Sequence, residues 1–237
     1  MFTFFIIFLL SIIQSIFGIG LLILGTPILL LMNYSFIDVI SITAPCSLTV
    51  SLAQTMMAKK KNYDRKFFNN IFFLLFFCVL GIFLILIYEN EINIKLTVGI
   101  IILFLILSKK YYNKIINYLT YNTKITFSFI GFIHGISNSG GSLLLLTLSI
   151  MNKGNKNKIR DQIGFSYFLL ALIQFFILIF FKNNLFNELI IFNILIVLVG
   201  WTVGHNLIKY ISHKNYNNYL DILIFIASTV LIIKNFK

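Results

Sequence analysis

Eight long apolar stretches run through this chain, and they limit its possible folds more than any other feature. Six of them have about the length that crosses a hydrocarbon core of roughly 30 Å as a helix. Lipid offers no hydrogen-bond partners, so backbone groups within it must pair inside their own segment, which favours helices. The sequence therefore predicts an all-α polytopic membrane protein. The stretches cover residues 2–32, 36–58, 67–88, 92–108, 125–151, 163–181, 185–206 and 219–233.

Composition supports a membrane location and a single domain. Of the 237 residues, 59% are hydrophobic and only 11% are charged. A soluble fold of this size would be unable to bury so many apolar side chains, because it must also cover its surface. The lipid bilayer is thus the expected partner. No linker or polar tail separates the stretches, so residues 1–237 are expected to form one transmembrane domain.

Charge and cysteine usage exclude several other classes of protein. The net charge of +12 comes from short basic clusters between the apolar stretches. Such clusters follow the positive-inside rule, and they do not indicate nucleic-acid binding. Cys46 and Cys78 both lie within apolar stretches, so no disulfide framework, metal site or cofactor is expected. The first stretch has no basic segment before it and is expected to stay in the protein rather than to be cleaved as a signal peptide.

The first and fifth stretches are predicted to be interrupted helices. The first is 31 residues long, which would make a single helix of roughly 45 Å. It contains Gly18-Ile19-Gly20 and then Gly25-Thr26-Pro27, and glycine and proline weaken or stop helices. The fifth contains a polar, glycine-rich patch over residues 134–142.

The two halves of the chain echo each other at an offset of about 120 residues. Gly18-Ile19-Gly20 falls on Asn138-Ser139-Gly140, and Gly81 falls close to Gly200. Repeat 1 is therefore assigned to about residues 1–118 and repeat 2 to about residues 119–237. Each repeat is predicted to hold a broken or re-entrant first segment followed by three transmembrane helices.

The distribution of Lys and Arg favours one threading of the interrupted stretches. If all eight stretches cross the membrane, the two sides carry 12 and 7 of the 19 basic residues. If the first and fifth stretches each enter and leave on the same side, the two sides carry 15 and 4. The positive-inside rule favours the second threading, which makes the halves inverted repeats with both termini outside.

Polar residues at membrane depth are costly, so those present indicate where chemistry takes place. All seven acidic residues lie near the ends of stretches or in loops, so neither a buried carboxylate relay nor a carboxylate cage for a metal ion is expected. Helix breaks instead point half-helix N-termini and glycine N–H groups at a bound group, which suits an anion without fixed cations. The substrate-binding residues are predicted to be Gly18, Gly20, Pro27, His134, Asn138, Ser139, Gly140, Gly141 and Ser142.

These residues also have structural explanations. Glycine and serine in membrane helices more often serve close packing, and His134 is equally well explained by pairing with a neighbouring helix. Gln54 and Gln174 are expected to bond between helices. Packing is the expected role of Gly81, Gly200 and Gly204.

The motifs resemble the TauE/SafE family of sulfite and organosulfur exporters, whose two repeats open with a glycine-rich motif and a following proline. Phe17-Gly18-Ile19-Gly20 with Pro27-Ile28-Leu29-Leu30 is similar to the first copy, and residues 134–143 are similar to the second. Residues 200–207 are similar to the family's ending. Two departures are present: Leu21 and Leu22 stand where the glycine run usually continues, and Thr147 lies near the place of the second proline.

The resemblance implies a transporter rather than an enzyme. It would move a small anion, such as sulfite or a sulfur-containing organic anion, across the bacterial cytoplasmic membrane. The residues themselves leave open a passive anion channel and an assembly subunit that transports nothing. An intramembrane enzyme would need a nucleophile with a base or a buried acid pair, and the sequence offers neither. The coupling ion, the direction of transport and the oligomeric state are not indicated by the sequence.

Overall fold

The computed structural model describes residues 2–59, 62–88, 91–108, 122–152, 155–181, 188–207, 222, 225–226 and 228–234. All regular structure within these residues is helical, which confirms the all-α prediction. The helices, in chain order, are α1 (Phe2–Phe17), α2 (Leu21–Leu31), α3 (Phe36–Met56), α4 (Arg65–Ile87), α5 (Ile94–Ser108), α6 (Thr123–Ser137), α7 (Gly141–Met151), α8 (Lys156–Phe181) and α9 (Glu188–Leu207).

Four of the described helices are long and apolar enough to cross a membrane, namely α3, α4, α8 and the part of α9 from Ile190 to Leu207. Their outer faces are apolar as well. On α4 the exposed large side chains recur at helical spacing, at Phe68, Phe72 and Phe76 among others. Such a face suits lipid tails and not water. The prediction of a polytopic membrane protein is confirmed.

One helix extends well beyond its apolar stretch. α8 begins at Lys156, seven residues before the sixth stretch, because a helix satisfies its own backbone groups whether or not lipid surrounds it. The eighth predicted stretch, residues 219–233, lies mostly outside the described residues. Within that part of the chain, residues 228–234 are helical.

The first apolar stretch forms a hairpin of two helices, α1 and α2, which we call hairpin 1. Residues 18–20 separate the helices, and we call them break 1. The side-chain oxygens of Thr3 and Tyr34 lie 3.2 Å apart. Thr3 is at the start of α1 and Tyr34 follows α2, so hairpin 1 enters and leaves at the same end of the bundle.

The glycine–proline group of hairpin 1 does not interrupt it. The prediction that Gly25-Thr26-Pro27 weakens or stops the helix is wrong in this respect, because α2 continues through all three residues to Leu31. A proline removes only one helical N–H bond, and α2 is buried along most of its length. Packing therefore maintains the helix.

The fifth stretch forms hairpin 2 from α6 and α7, with break 2 at residues 138–140. At the start of α6, the Thr123 hydroxyl donates to Asn70 Oδ1 on α4 at 3.1 Å. Just after α7, Asn152 Nδ2 donates to Gln162 Oε1 at 2.7 Å, and Gln162 Nε2 donates to the carbonyl of Asn62 at 2.9 Å. Both ends of hairpin 2 thus lie beside the start of α4.

The two hairpins enter the bundle from opposite ends. Hairpin 1 opens beside the start of α3, whereas hairpin 2 opens beyond the end of α3, and α3 is one continuous helix of 21 residues. This geometry supports the threading that the basic residues favour, in which neither interrupted stretch crosses. The side of the membrane that each end faces stays a prediction.

The first helix of each hairpin packs on a helix of the other half. α1 packs on α9, where Gly200 and Gly204 bring the α9 backbone against Ser11 and Ser15. A Cβ atom at Gly204 would lie 2.7 Å from the carbonyl oxygen of Ile12. The predicted packing role of Gly200 and Gly204 is confirmed.

In hairpin 2 too, the first helix packs on a helix of the other half of the chain. α6 packs on α4, with Gly131 and Gly135 against the backbone of Leu74 and Cys78. Gly81 lies in this interface too, where a Cβ atom would meet the carbonyl oxygen of Phe132 at 2.6 Å. Its predicted packing role is confirmed, and the contact requires glycine because the neighbour is rigid backbone.

α3 and α8, which correspond at the offset of about 120 residues, pack antiparallel in the middle of the bundle. Gln54 near the end of α3 lies against Gly164 near the start of α8, while Thr43 and Gln174 both reach Asn138 at the other end. Equivalent helices that run antiparallel are related by an axis across the bundle, as inverted repeats require. The packing supports the inverted-repeat hypothesis, which stays a prediction.

Candidate functional site

Break 1 is closed by the protein's own groups. Gly18 ends α1 in the left-handed conformation, with φ at 77°, and its N–H donates to the carbonyl of Gln14 at 2.7 Å. The side chain of Gln14 then turns to the start of α2, where its Oε1 accepts from the N–H of Leu21 at 3.0 Å. Its Nε2 donates to Ser47 Oγ at 3.0 Å. The amide oxygen of Gln14 thus occupies the position at a helix N-terminus that suits an anion.

Break 2 has the same backbone geometry with a different residue. Asn138 adopts the left-handed conformation, with φ at 59°, and its N–H donates to the carbonyl of His134 at 2.7 Å. Asparagine tolerates this region better than other non-glycine residues. The chain then turns into α7, whose N-cap residue Gly140 provides no side-chain hydrogen bond.

A directional chain of hydrogen bonds fixes the side chains around break 2. The Thr26 hydroxyl donates to the carbonyl of Leu22 at 2.7 Å, so its oxygen can only accept from Asn138 Nδ2, which lies at 3.0 Å. The Asn138 Oδ1 must then face Gln174, whose Nε2 donates to it at 2.9 Å. Asn138 therefore joins hairpin 1 to α8. It also leaves Gln174 Oε1 as an acceptor without a partner among the described residues.

Three buried side chains at break 2 have polar atoms without a described partner. They are both ring nitrogens of His134, the hydroxyl of Tyr167 and Oε1 of Gln174, and all three side chains are at most 1% exposed. The rings of His134 and Tyr167 lie with their centroids 5.9 Å apart, edge to face. Buried polar groups are almost always paired, so these atoms are available to pair with a ligand.

Gly141 brings this cluster to the start of α7. The Tyr167 hydroxyl occupies the position that a Cβ atom of residue 141 would take, so only glycine fits there. The phenol therefore lies directly beside the first turn of α7, where the N–H groups of a helix have no intrahelical acceptor. Hydroxyl, imidazole and helix N-terminus together can bind a small anion.

The structure separates the predicted binding residues into four groups. His134, Gly140, Gly141 and Ser142 lie at the start of α7 or against it, and Asn138 and Ser139 are held by hydrogen bonds to Gln174, Thr26 and Ser137. Gly18 and Gly20 shape break 1, where Gln14 closes the site. Pro27 lies within α2, seven residues beyond Gly20 and roughly 10 Å further along the helix.

Residues at equivalent positions explain why the two breaks differ. At the offset of 120 residues Gln14 corresponds to His134, and Gln54 corresponds to Gln174. Gln54 Nε2 bonds the carbonyl of Gln14 at 2.9 Å, so both glutamines bond between helices as predicted. Gln14 is long enough to reach the next helix and close break 1, whereas the ring of His134 has no described partner.

Tyr167 and Gln14 were not predicted from the sequence. Tyr167 lies in an apolar helix among many aromatic residues, and nothing in its neighbourhood marks it. The signal for Gln14 is its alignment with His134 at the repeat offset, which shows a polar residue at the same place in both halves.

The polar end of the bundle, where hairpin 2 opens, carries the described ion pair between Lys158 and Asp64, at 2.9 Å. The hydrogen bond from Lys158, together with the N–H of Phe67, lowers the pKa of Asp64. Burial and the nearby Asp161 carboxylate raise the pKa of Tyr63 to about 12.

A cavity of about 300 Å³ lies between the starts of α4, α6 and α8 and the end of α7. Another of about 150 Å³ is lined by Gln54, Met57, Arg160, Asp161, Trp201 and His205.

No group of three or more His, Cys, Asp and Glu among the described residues is arranged to hold a metal ion. Cys46 and Cys78 are buried on different helices and are not bonded to each other.

Two opposed helical hairpins, each with a break between its helices, define a class of protein, the helical membrane proteins with discontinuous helices. The family model for the sulfite exporter TauE/SafE matches residues 3–231. The chain therefore belongs to the TauE/SafE family of sulfite exporters and membrane transporters. No curated protein and no solved structure matches it.

Proposed function

We propose that the protein exports a small oxyanion, with sulfite as the first candidate, and that the anion binds at break 2. The observation that carries this proposal is the pair of buried, unpartnered side chains, His134 and Tyr167, beside the uncapped start of α7. An anion bound there accepts hydrogen bonds from the phenol, the imidazole and the helix N–H groups. Each such bond to a charged ligand is worth about 1.5–3 kcal/mol.

The proposal assigns separate tasks to the predicted binding residues. His134, Gly141 and Ser142 lie beside the ligand, and Tyr167 joins them. Asn138 positions break 2 through its bonds to Thr26 and Gln174. Ser139 and Gly140 shape the turn into α7, and the residues of break 1 have a structural role.

The opposed hairpins supply a route for alternating access. Break 2 is the tip of hairpin 2, and it touches hairpin 1 through the bond between Asn138 and Thr26. Hairpin 1 opens at one end of the bundle and hairpin 2 at the other. A small tilt of one hairpin against the other therefore exposes the bound anion to one end while the other stays closed, as in transporters with broken helices.

Transport in proteoliposomes tests the proposal. The purified protein is reconstituted, and efflux of sulfite, sulfate, thiosulfate and sulfoacetate is measured against protein-free vesicles. His134→Leu is compared with His205→Leu, which removes an imidazole outside break 2. We expect saturable sulfite efflux that His134→Leu lowers at least about tenfold and His205→Leu leaves close to wild type.

Each other result has a definite meaning. If none of the four anions moves, the proposed function fails. Flux that increases linearly with concentration and never saturates indicates a channel. Equal loss of transport in both variants would show that break 2 is not the site.

A further inference from the structure

Break 2 offers hydrogen-bond acceptors as well as donors. The chain of bonds from Leu22 through Thr26 and Asn138 leaves Gln174 Oε1 as a buried acceptor. His134 adds a second acceptor in its neutral form, which carries one N–H and one bare nitrogen. A ligand that only accepts hydrogen bonds leaves both of these atoms unpaired.

Unpaired acceptors discriminate between ligands. A fully deprotonated oxyanion has no proton to offer, so its oxygens repel the lone pairs of Gln174 and His134. An oxyanion that still bears a hydroxyl or other acidic hydrogen donates one bond and accepts the rest. Sites that make a hydrogen bond to a ligand proton strongly reject analogues that lack it.

The charges at break 2 favour a ligand with a single negative charge. The hydrogen bonds of Asn138, Gln174 and Ser139 all involve neutral groups. The start of α7 contributes roughly half a positive charge. The cost of removing an ion from water grows with the square of its charge, so this neutral site suits a monoanion far better than a dianion.

We infer that the ligand of break 2 is a protonated oxyanion, a singly charged species such as hydrogen sulfite that carries its own acidic hydrogen. Gln174 is then a specificity residue, because its Oε1 accepts that hydrogen while its Nε2 holds Asn138. This inference rests on the proposed function and adds the protonation state of the substrate.

A comparison of four probe ions with the wild-type protein tests the inference. Sulfite and selenite are monoanions with an acidic hydrogen below the second pKa of each acid and dianions above it. Methanesulfonate is a monoanion with no acidic hydrogen, and sulfate is a dianion throughout. Binding is measured as the shift of the thermal unfolding midpoint, and transport is measured in proteoliposomes with subtraction of the flux through protein-free vesicles.

We expect hydrogen sulfite and hydrogen selenite to bind at least about tenfold more tightly than methanesulfonate and sulfate. Raising the pH past the second pKa of each acid should remove this preference. His134 on α6 and Tyr167 on α8 are titratable groups at the break, and methanesulfonate controls for them, because its own charge does not change with pH.

Three results would overturn the inference. If methanesulfonate or sulfate binds as tightly as hydrogen sulfite, the substrate is not selected by its proton, although transport itself can stand. If methanesulfonate binding falls with pH as steeply as sulfite binding, the protein and not the ligand is titrating. If none of the ions binds or moves, the proposed function fails and this inference fails with it.

Discussion

At the scale of single residues, the two breaks differ in whether a described side chain caps the helix that follows. Gln14 and His134 stand at the same place in the two halves, each four residues before a left-handed turn. The flexible side-chain amide of Gln14 accepts a hydrogen bond from the N–H of Leu21 and so caps the start of α2. The shorter, rigid ring of His134 stays beside the start of α7 without a described partner.

Tyr167→Phe should impair transport without impairing the fold. Its hydroxyl has no described protein partner, so removing it takes away no protein hydrogen bond and the thermal unfolding midpoint should not fall. The half-saturation concentration for the anion should increase about tenfold to a hundredfold. Tyr34→Phe is the matched control, because its hydroxyl lies near Thr3 and far from break 2. A Tyr167→Phe protein with normal transport would remove Tyr167 from the site.

Sequence reasoning identified most of this residue-scale detail by type but not by role. The polar cluster at residues 134–142 stands out against its apolar surroundings, so the position of the candidate site could be proposed from the sequence. The engagement of Asn138 with Thr26 and Gln174 could not, since it depends on which helices meet in space. The role of Tyr167 could not be predicted for the same reason.

At the scale of helices, close backbone approach explains where the glycines lie. Gly131 and Gly135 face α4, and Gly200 and Gly204 face α1, in both cases four residues apart on one helix face. In lipid there is no hydrophobic force between helices, so such contact supplies the association energy. The sequence predicted packing for Gly200 and Gly204, and the structure shows the same kind of contact at Gly131 and Gly135.

Gly135→Ala should separate α6 from α4. Its Cβ atom would meet the Cys78 carbonyl and lie 2.8 Å from the backbone nitrogen of Ile82. Overpacking of this kind costs about 1–3 kcal/mol, which thermal unfolding in detergent can measure. Gly25→Ala is the control, because its Cβ atom would meet side-chain methyl groups of Thr43 and Leu10 at 3.1 and 3.4 Å, and these can adjust. Equal losses in the two variants would contradict the interface role.

Asp64 caps α4 and pairs with Lys158, and two substitutions separate these tasks. Asp64→Ala should cost about 0.5–2 kcal/mol, while Asp64→Asn keeps a good cap and should cost at most about 1 kcal/mol, because the pair is half-exposed. The lowered pKa of Asp64 means that its charge stabilises the fold above the ordinary carboxyl pKa and that this is lost as pH falls through the lowered value. Unfolding measured against pH should show this loss in wild type and not in Asp64→Asn.

At the scale of the whole molecule, the positions of the basic residues and the hairpin geometry lead to the same threading. Fifteen of the 19 Lys and Arg belong to the end where hairpin 2 opens when both stretches fold back. Hydropathy alone could not show this, because it registers apolar length and not direction. The charge count and the contacts of Thr3 with Tyr34 and of Thr123 with Asn70 support this threading, which stays a prediction.

The threading predicts that the C-terminus faces away from the cytoplasm. A C-terminal alkaline phosphatase fusion should be active and a fluorescent-protein fusion at the same place should be dark, since each folds on one side only. The same pair of reporters inserted between Asn152 and Asn155 should give the reverse result and serves as the control. A bright C-terminal fluorescent fusion would show that the chain is threaded the other way.

The packing of α1 on a helix of the other half has a consequence for the synthesis of the chain. α1 emerges from the ribosome well before the helix on which it packs, because that helix, α9, ends only at Leu207. Until α9 is made, Ser11 and Ser15 lack their contacts with it, and hairpin 1 can pack only on the helices that directly follow it. A chain cut after α5 lacks the helix on which α1 packs and should therefore be unstable in the membrane.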